Sequence, residues 1–101
     1  MTDQIKPADR IDDPIAVDTW VYDVSGAQQR THIEVGRPVR RDPEDPNSEW
    51  ACPLRIEGET QGVENIHGLG PVDALMNAMQ LVRRFFEKTH RHAPKTAGSK
   101  A

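Results

Sequence analysis

The sequence has a single cysteine, Cys52, so no disulfide closes within one chain and no cysteine-based zinc site is completed there. It also lacks any apolar run near the roughly 20 residues needed to span a bilayer. Its first residues, Met1-Thr2-Asp3-Gln4, carry no basic region followed by an apolar stretch. A soluble, unexported, cytoplasmic protein with no membrane partner is therefore expected. Aromatic residues are scarce at 5%, and the net charge is only -3, which argues against global disorder. With 101 residues there is room for one domain with a thin core and not for two. Mean hydropathy is -0.72, and 36% of residues are hydrophobic against 29% charged, so the core must be concentrated in part of the chain.

Residues 1–15 carry Asp3, Asp9, Asp12 and Asp13 with Pro7 and Pro14 and follow no period, which predicts a flexible acidic arm. From Ala16 to Val24 the chain turns β-rich, with Trp20, Tyr22 and Val24 alternating with Val21 and Asp23. Ser25-Gly26-Ala27 supplies turn chemistry. Thr31, Ile33 and Val35 then share one face of a second strand, with Arg30, His32 and Glu34 on the other, so a hairpin is predicted. Gly36 to Glu49 contains three prolines without periodicity and reads as a long loop. Trp50, Cys52, Leu54 and Ile56 mark one face of a further strand, which Pro53 places at a sheet edge or beside a bulge. A turn over residues 58–62 precedes a short, weakly patterned strand from Val63 to His67.

The strongest periodic signal runs from Val72 to Lys88, where Val72, Leu75, Met76, Met79, Val82, Phe85 and Phe86 recur at helical spacing. Gly70-Pro71 starts this helix, Asp73 lies in its first turn, and Arg83, Arg84 and Lys88 complement the dipole near its end. The expected fold is α+β: a three- to four-stranded antiparallel meander with one C-terminal helix packed on one face. The expected organisation is a flexible acidic arm over 1–15, a single domain over 16–89 and a flexible basic tail over 90–101.

Three segments carry a resemblance: Val35-Gly36-Arg37-Pro38, then Trp50-x-Cys52-Pro53-x-Arg55-Ile56-x-Gly58, then Gly70-x-x-Asp73-Ala74-Leu75 ahead of an apolar helix. They resemble those of a family of small bacterial domains of unknown function, over about residues 17 to 87. The resemblance implies a β-meander followed by a C-terminal helix and a bacterial origin. It brings no activity with it.

Among candidate sites, the long loop changes sign along its length and long loops in small domains often carry function. Arg37, Arg40, Arg41, Asp42, Glu44 and Asp45, with Arg55 on the open face of the sheet, form the candidate partner-binding set. That open face, with Arg30, His32 and Glu34 beside Ala51, Pro53, Arg55 and Glu57, suits a protein partner, and an open sheet edge suits a second copy in a homo-oligomer. Asp42, Glu44, Asn47 and Glu49 fail the EF-hand spacing, and His32, His67, His90, His92 and Cys52 show no metal-ligand spacing. No metal and no cofactor are expected. Cys52 lies on an apolar face, where a thiol behaves as a small buried hydrophobe rather than a nucleophile.

Gly68-Leu69-Gly70 ahead of a helix suggests an anion cradle, but Pro71 removes a donor and Asp73 adds negative charge, so a simple cap is expected. Arg83, Arg84, Lys88, Arg91 and Lys95 concentrate positive charge near the C-terminus and form a candidate phosphate-binding set for nucleic acid. No nucleophile, base and orienter can be assembled, so no catalytic residue is named and no enzyme is expected. The function these features favour is a non-catalytic, small cytoplasmic protein-binding module of regulatory, immunity-type or inhibitor-like role. The alternative is a nucleic-acid accessory protein acting through the basic helix end and tail.

Overall fold

Ser25 and Gly26 both take positive φ, 53° and 83°, the signature of a two-residue type I′ turn whose twist matches that of the strands it joins. Around it β1 (Ala16–Val24) and β2 (Ala27–Val35) pair along their whole length, from Val24 opposite Ala27 to Ala16 opposite Val35. A computed structural model describes residues 10–92 of the chain. Beyond the hairpin follow β3 (Val39–Arg40), β4 (Trp50–Ile56), β5 (Glu64–Gly68) and the helix α1 (Pro71–His92).

All pairings are antiparallel. The C-terminal end of β2 pairs with β4, with Ile33 opposite Ile56 and Val35 opposite Leu54. β5 pairs with β4 from Trp50 to Leu54, so β2 and β3 must share the other edge of β4. The Gly36 N–H donates to the Pro53 carbonyl at 2.7 Å, and the next pair is Val39 with Ala51. Three steps on one strand therefore face two on the other, which is a bulge at Arg37-Pro38. The expected choice between a sheet edge and a bulge for Pro53 resolves to the bulge: Pro53 lies in an interior strand, and its missing N–H points to where the ladder is already broken. Among the described residues the result is a five-stranded, meander-like sheet carrying one helix, an α+β fold. β3 lies inside the stretch expected as loop, because two residues carry no detectable period.

The core lies between one sheet face and α1. Ile33, Val35, Cys52, Leu54 and Ile56 from the sheet meet Ala74, Ala78, Val82 and Phe85 from the helix. Small Ala74 and Ala78 let the start of α1 approach closely, while Phe85 fills the wider far end, edge-on to Tyr22 with ring centroids 6.0 Å apart. Trp20 lies against Phe86 at 4.6 Å and donates its Nε1–H to Thr89 Oγ1 at 2.5 Å. This part-buried contact lies at residue 89, the end of the expected domain, and the helix continues to His92. The rest of the expected tail, residues 93–101, and residues 1–9 of the expected arm lie outside the described residues. The described part of the arm is tied down where the Ile15 N–H donates to the Val35 carbonyl.

The apolar stripe expected to face the sheet is corrected in part. Val82 and Phe85 are buried and Leu75 and Phe86 half-buried, but Val72, Met76 and Met79 are exposed. The buried line is Ala74, Ala78, Val82 and Phe85, so the alanines set the rotation of the helix and leave the larger side chains of its first half on a shoulder. At the helix start the Leu69 N–H donates to Asp73 Oδ2 at 2.9 Å, and the Ala74 N–H donates to the Gly70 carbonyl. Among the described residues no helix is long and apolar enough to cross a membrane.

Candidate functional site

The charged segment between β3 and β4 is a folded excursion. The Arg41 N–H donates to the Glu49 carbonyl at its neck, and two successive turns close inside it, Asp45 N–H to Asp42 and Ser48 N–H to Asp45. Asp42 Oδ1 accepts the Glu44 N–H at 3.0 Å, and Asp45 Oδ1 accepts the Asn47 N–H at 2.9 Å. One oxygen of each carboxylate is thus taken by the loop's own backbone. The Arg40 guanidinium stacks over Trp50 at 5.4 Å, and Arg41 lies 3.5 Å from His67, whose ring is 3.5 Å from Glu49. Arg37 is exposed and reaches Asp13 at 3.4 Å.

Arg55 belongs to a different group, on the sheet face away from the helix and about 16 Å along β4 from Trp50. It sits between Glu34 at 3.9 Å and Glu57 at 3.8 Å, with His32 Nε2 3.1 Å from Glu34. The structure therefore joins Arg40, Arg41, Asp42 and Asp45 in one folded loop and places Arg37 and Arg55 apart from it. Glu44 is exposed, and its carboxylate has no partner among the described residues.

The basic set divides in the same way. Lys88 Nζ reaches both carboxylate oxygens of Glu59, at 2.8 and 3.0 Å. Arg83 and Arg84 are exposed and make no ion pair among the described residues. The side chain of Arg91, and Lys95 entirely, lie outside the described residues, as do the side chains of His90 and His92. Among the described residues no three His, Cys, Asp or Glu side chains gather as metal ligands. Cys52 is fully buried with Sγ 3.4 Å from the Gly36 carbonyl, and burial pushes its thiol up to about 11.

Two surfaces were not anticipated from the sequence. The first is the shoulder of α1, where Leu69, Val72, Met76 and Met79 are 85%, 68%, 54% and 38% exposed. At about 100° per residue, Val72, Met76 and Met79 lie within about 60° of one another and at least about 100° round from Ala78. Arg83 continues their line. The signal was legible as the 72-76-79-83 spacing, which is that of a helix seam, set beside two alanines on the opposite side.

The second surface is a notch at the far end of the sheet. The Glu57 N–H donates to the His32 carbonyl as the last rung between β4 and β2. The chain then turns away through Gly58, with the Glu59 and Thr60 N–H groups both directed at the Ile56 carbonyl. The β1–β2 hairpin runs on without a third strand. Between it, this turn and the last turns of α1 lies a cavity of about 460 Å³, bounded by Tyr22, Thr31, Phe85 and the Lys88–Glu59 pair. The outer edge of β1 differs: there the Thr19 N–H is already taken by Asp18 Oδ1 at 2.8 Å, which blunts that edge.

No curated protein and no solved structure matches the chain. A family model does match, over residues 21–96, from the second half of β1 through the whole of α1. The chain therefore belongs to the family described as a domain of unknown function, DUF6968.

Proposed function

We propose that the protein is a small, non-catalytic, cytoplasmic module that binds a protein partner through the exposed shoulder of α1. The observation that carries this reading is the line Leu69, Val72, Met76 and Met79, held in solvent by a helix whose opposite side is fully engaged with the sheet. It exposes on the order of 400 Å² of apolar surface, the scale of the patches that mark interaction sites on monomers. Seam spacing favours a partner helix laid alongside. Arg83, which continues the line and makes no ion pair among the described residues, favours acidic residues on that helix. Regulatory, immunity-type and inhibitor-like roles all fit such a contact.

The test compares tagged wild type with Met76→Lys/Met79→Lys, co-purified from the native host after nuclease treatment. Both side chains are exposed, so the double variant should stay within about 1 kcal/mol of wild type. A stoichiometric protein held by wild type and lost from the variant supports the reading. Equal retention by both, retention abolished by nuclease, or recovery of the chain itself as the bound species overturns it.

A further inference from the structure

The notch beside the β1–β2 hairpin has the features of a strand-addition site. In a two-residue hairpin the closing pair, Val24 and Ala27, exchange their backbone hydrogen bonds, so Ala27, Gln29 and Thr31 direct N–H and C=O toward β1. Gln28, Arg30, His32 and Glu34 then face the opposite way. The Glu57 N–H to His32 carbonyl bond is consistent with that alternation. One rung further out, the backbone groups of Gln28 and Arg30 have no partner among the described residues, because the chain leaves the line of β4 at Gly58. Two rungs of an interior strand position are thus vacant, in register with a ladder that is already built.

The side chains around the vacancy define what fills it. Residues opposite Gln29 and Thr31 would point to the helix side, into the cavity of about 460 Å³ bounded by Tyr22 and Phe85. The residue between them, opposite Arg30, would point to the other face. The Arg30 side chain is exposed there and has no ion pair among the described residues. Of the acidic groups around it, Glu57 lies 3.8 Å from Arg55 and Glu59 holds Lys88, while Asp23, exposed opposite Gln28 on the same face, makes no ion pair with Arg30. We infer that this notch binds an extended segment of a partner protein, added as a strand to Gln28–Arg30, with the pattern apolar-acidic-apolar. The site is separate from the shoulder of α1 and does not depend on it.

The test is fluorescence polarisation with the full chain and a five-residue peptide that begins Val-Asp-Val and carries its label at the C-terminus, so that nothing extends past Thr31 into the positions that Glu57 and Ile56 fill. Saturable binding is expected. It should weaken by about tenfold or more when the Asp is replaced by Lys, and be lost when the backbone is N-methylated at the residue opposite Arg30. Arg30→Glu should reverse the preference between the Asp and Lys peptides. Met76→Lys/Met79→Lys should leave the peptide affinity unchanged, which separates this site from the helix surface. Absence of saturable binding, or binding indifferent to both N-methylation and Arg30→Glu, overturns the inference.

Discussion

Replacing Gly68 with alanine adds one methyl group where β5 ends beneath the first turn of α1. A Cβ at this position would stand 2.8 Å from the carbonyl carbon of Asp73 and closer still to the backbone of Ala74. Neither atom can rotate aside, so the helix start must move by about 1 Å to restore ordinary contact. That movement strains two anchors, the Leu69 N–H to Asp73 Oδ2 bond and the Asn77 Nδ2 to His67 carbonyl bond, both 2.9 Å. Overpacking of this kind costs about 1–3 kcal/mol, and each weakened hydrogen bond adds about 0.5–1.5 kcal/mol. We expect a loss of about 3 kcal/mol, a large share of the stability of a domain this small. In urea, with a slope of about 1.3 kcal/mol/M, the midpoint followed by fluorescence of Trp20 and Trp50 should fall by about 2 M. Gly70→Ala is the control: a Cβ there meets nothing within 4 Å, so its cost should stay below about 1 kcal/mol. If Gly68→Ala unfolded at the same urea concentration as Gly70→Ala, the close approach of β5 and α1 would be refuted.

Two further perturbations test the core. The Cys52 thiol is pushed up to about 11 by burial, so the unfolded chain deprotonates first. The stability held below pH 9 should then be lost progressively toward pH 11, by on the order of 2 kcal/mol. Urea midpoints at pH 8 and 10.5 should therefore fall further for wild type than for Cys52→Ala, and equal falls would contradict the buried thiol. Thr89→Val keeps the shape but removes the acceptor of the Trp20 Nε1–H, at a cost of about 1–3 kcal/mol with a changed Trp20 emission, while Thr89→Ser should restore most of it.

Much of the architecture was legible because it rests on local rules. Alternation and the Ser25-Gly26 turn define the first hairpin, and the spacing from Val72 to Phe86 defines a helix. What the spacing could not settle was rotation. Seven apolar residues cover more of a helix than one sheet face can bury, and which of them stay out depended on Ala74 and Ala78, whose small side chains carry little hydrophobic weight. The charged loop was less legible for a related reason. A count of signs does not distinguish a carboxylate offered to a partner from one, like Asp42 or Asp45, that caps its own turn. The notch was invisible because it arises from the offset between β2 and β4, a register that neither strand encodes alone.

Photo-cross-linking in intact cells tests the central claim most directly, with a benzophenone side chain placed at position 76 on the helix shoulder or at position 45 in the charged loop. The account predicts one discrete adduct with another protein from position 76, resistant to nuclease, and none from position 45. An adduct from position 45 with none from 76 would contradict it and return the contact to the charged loop.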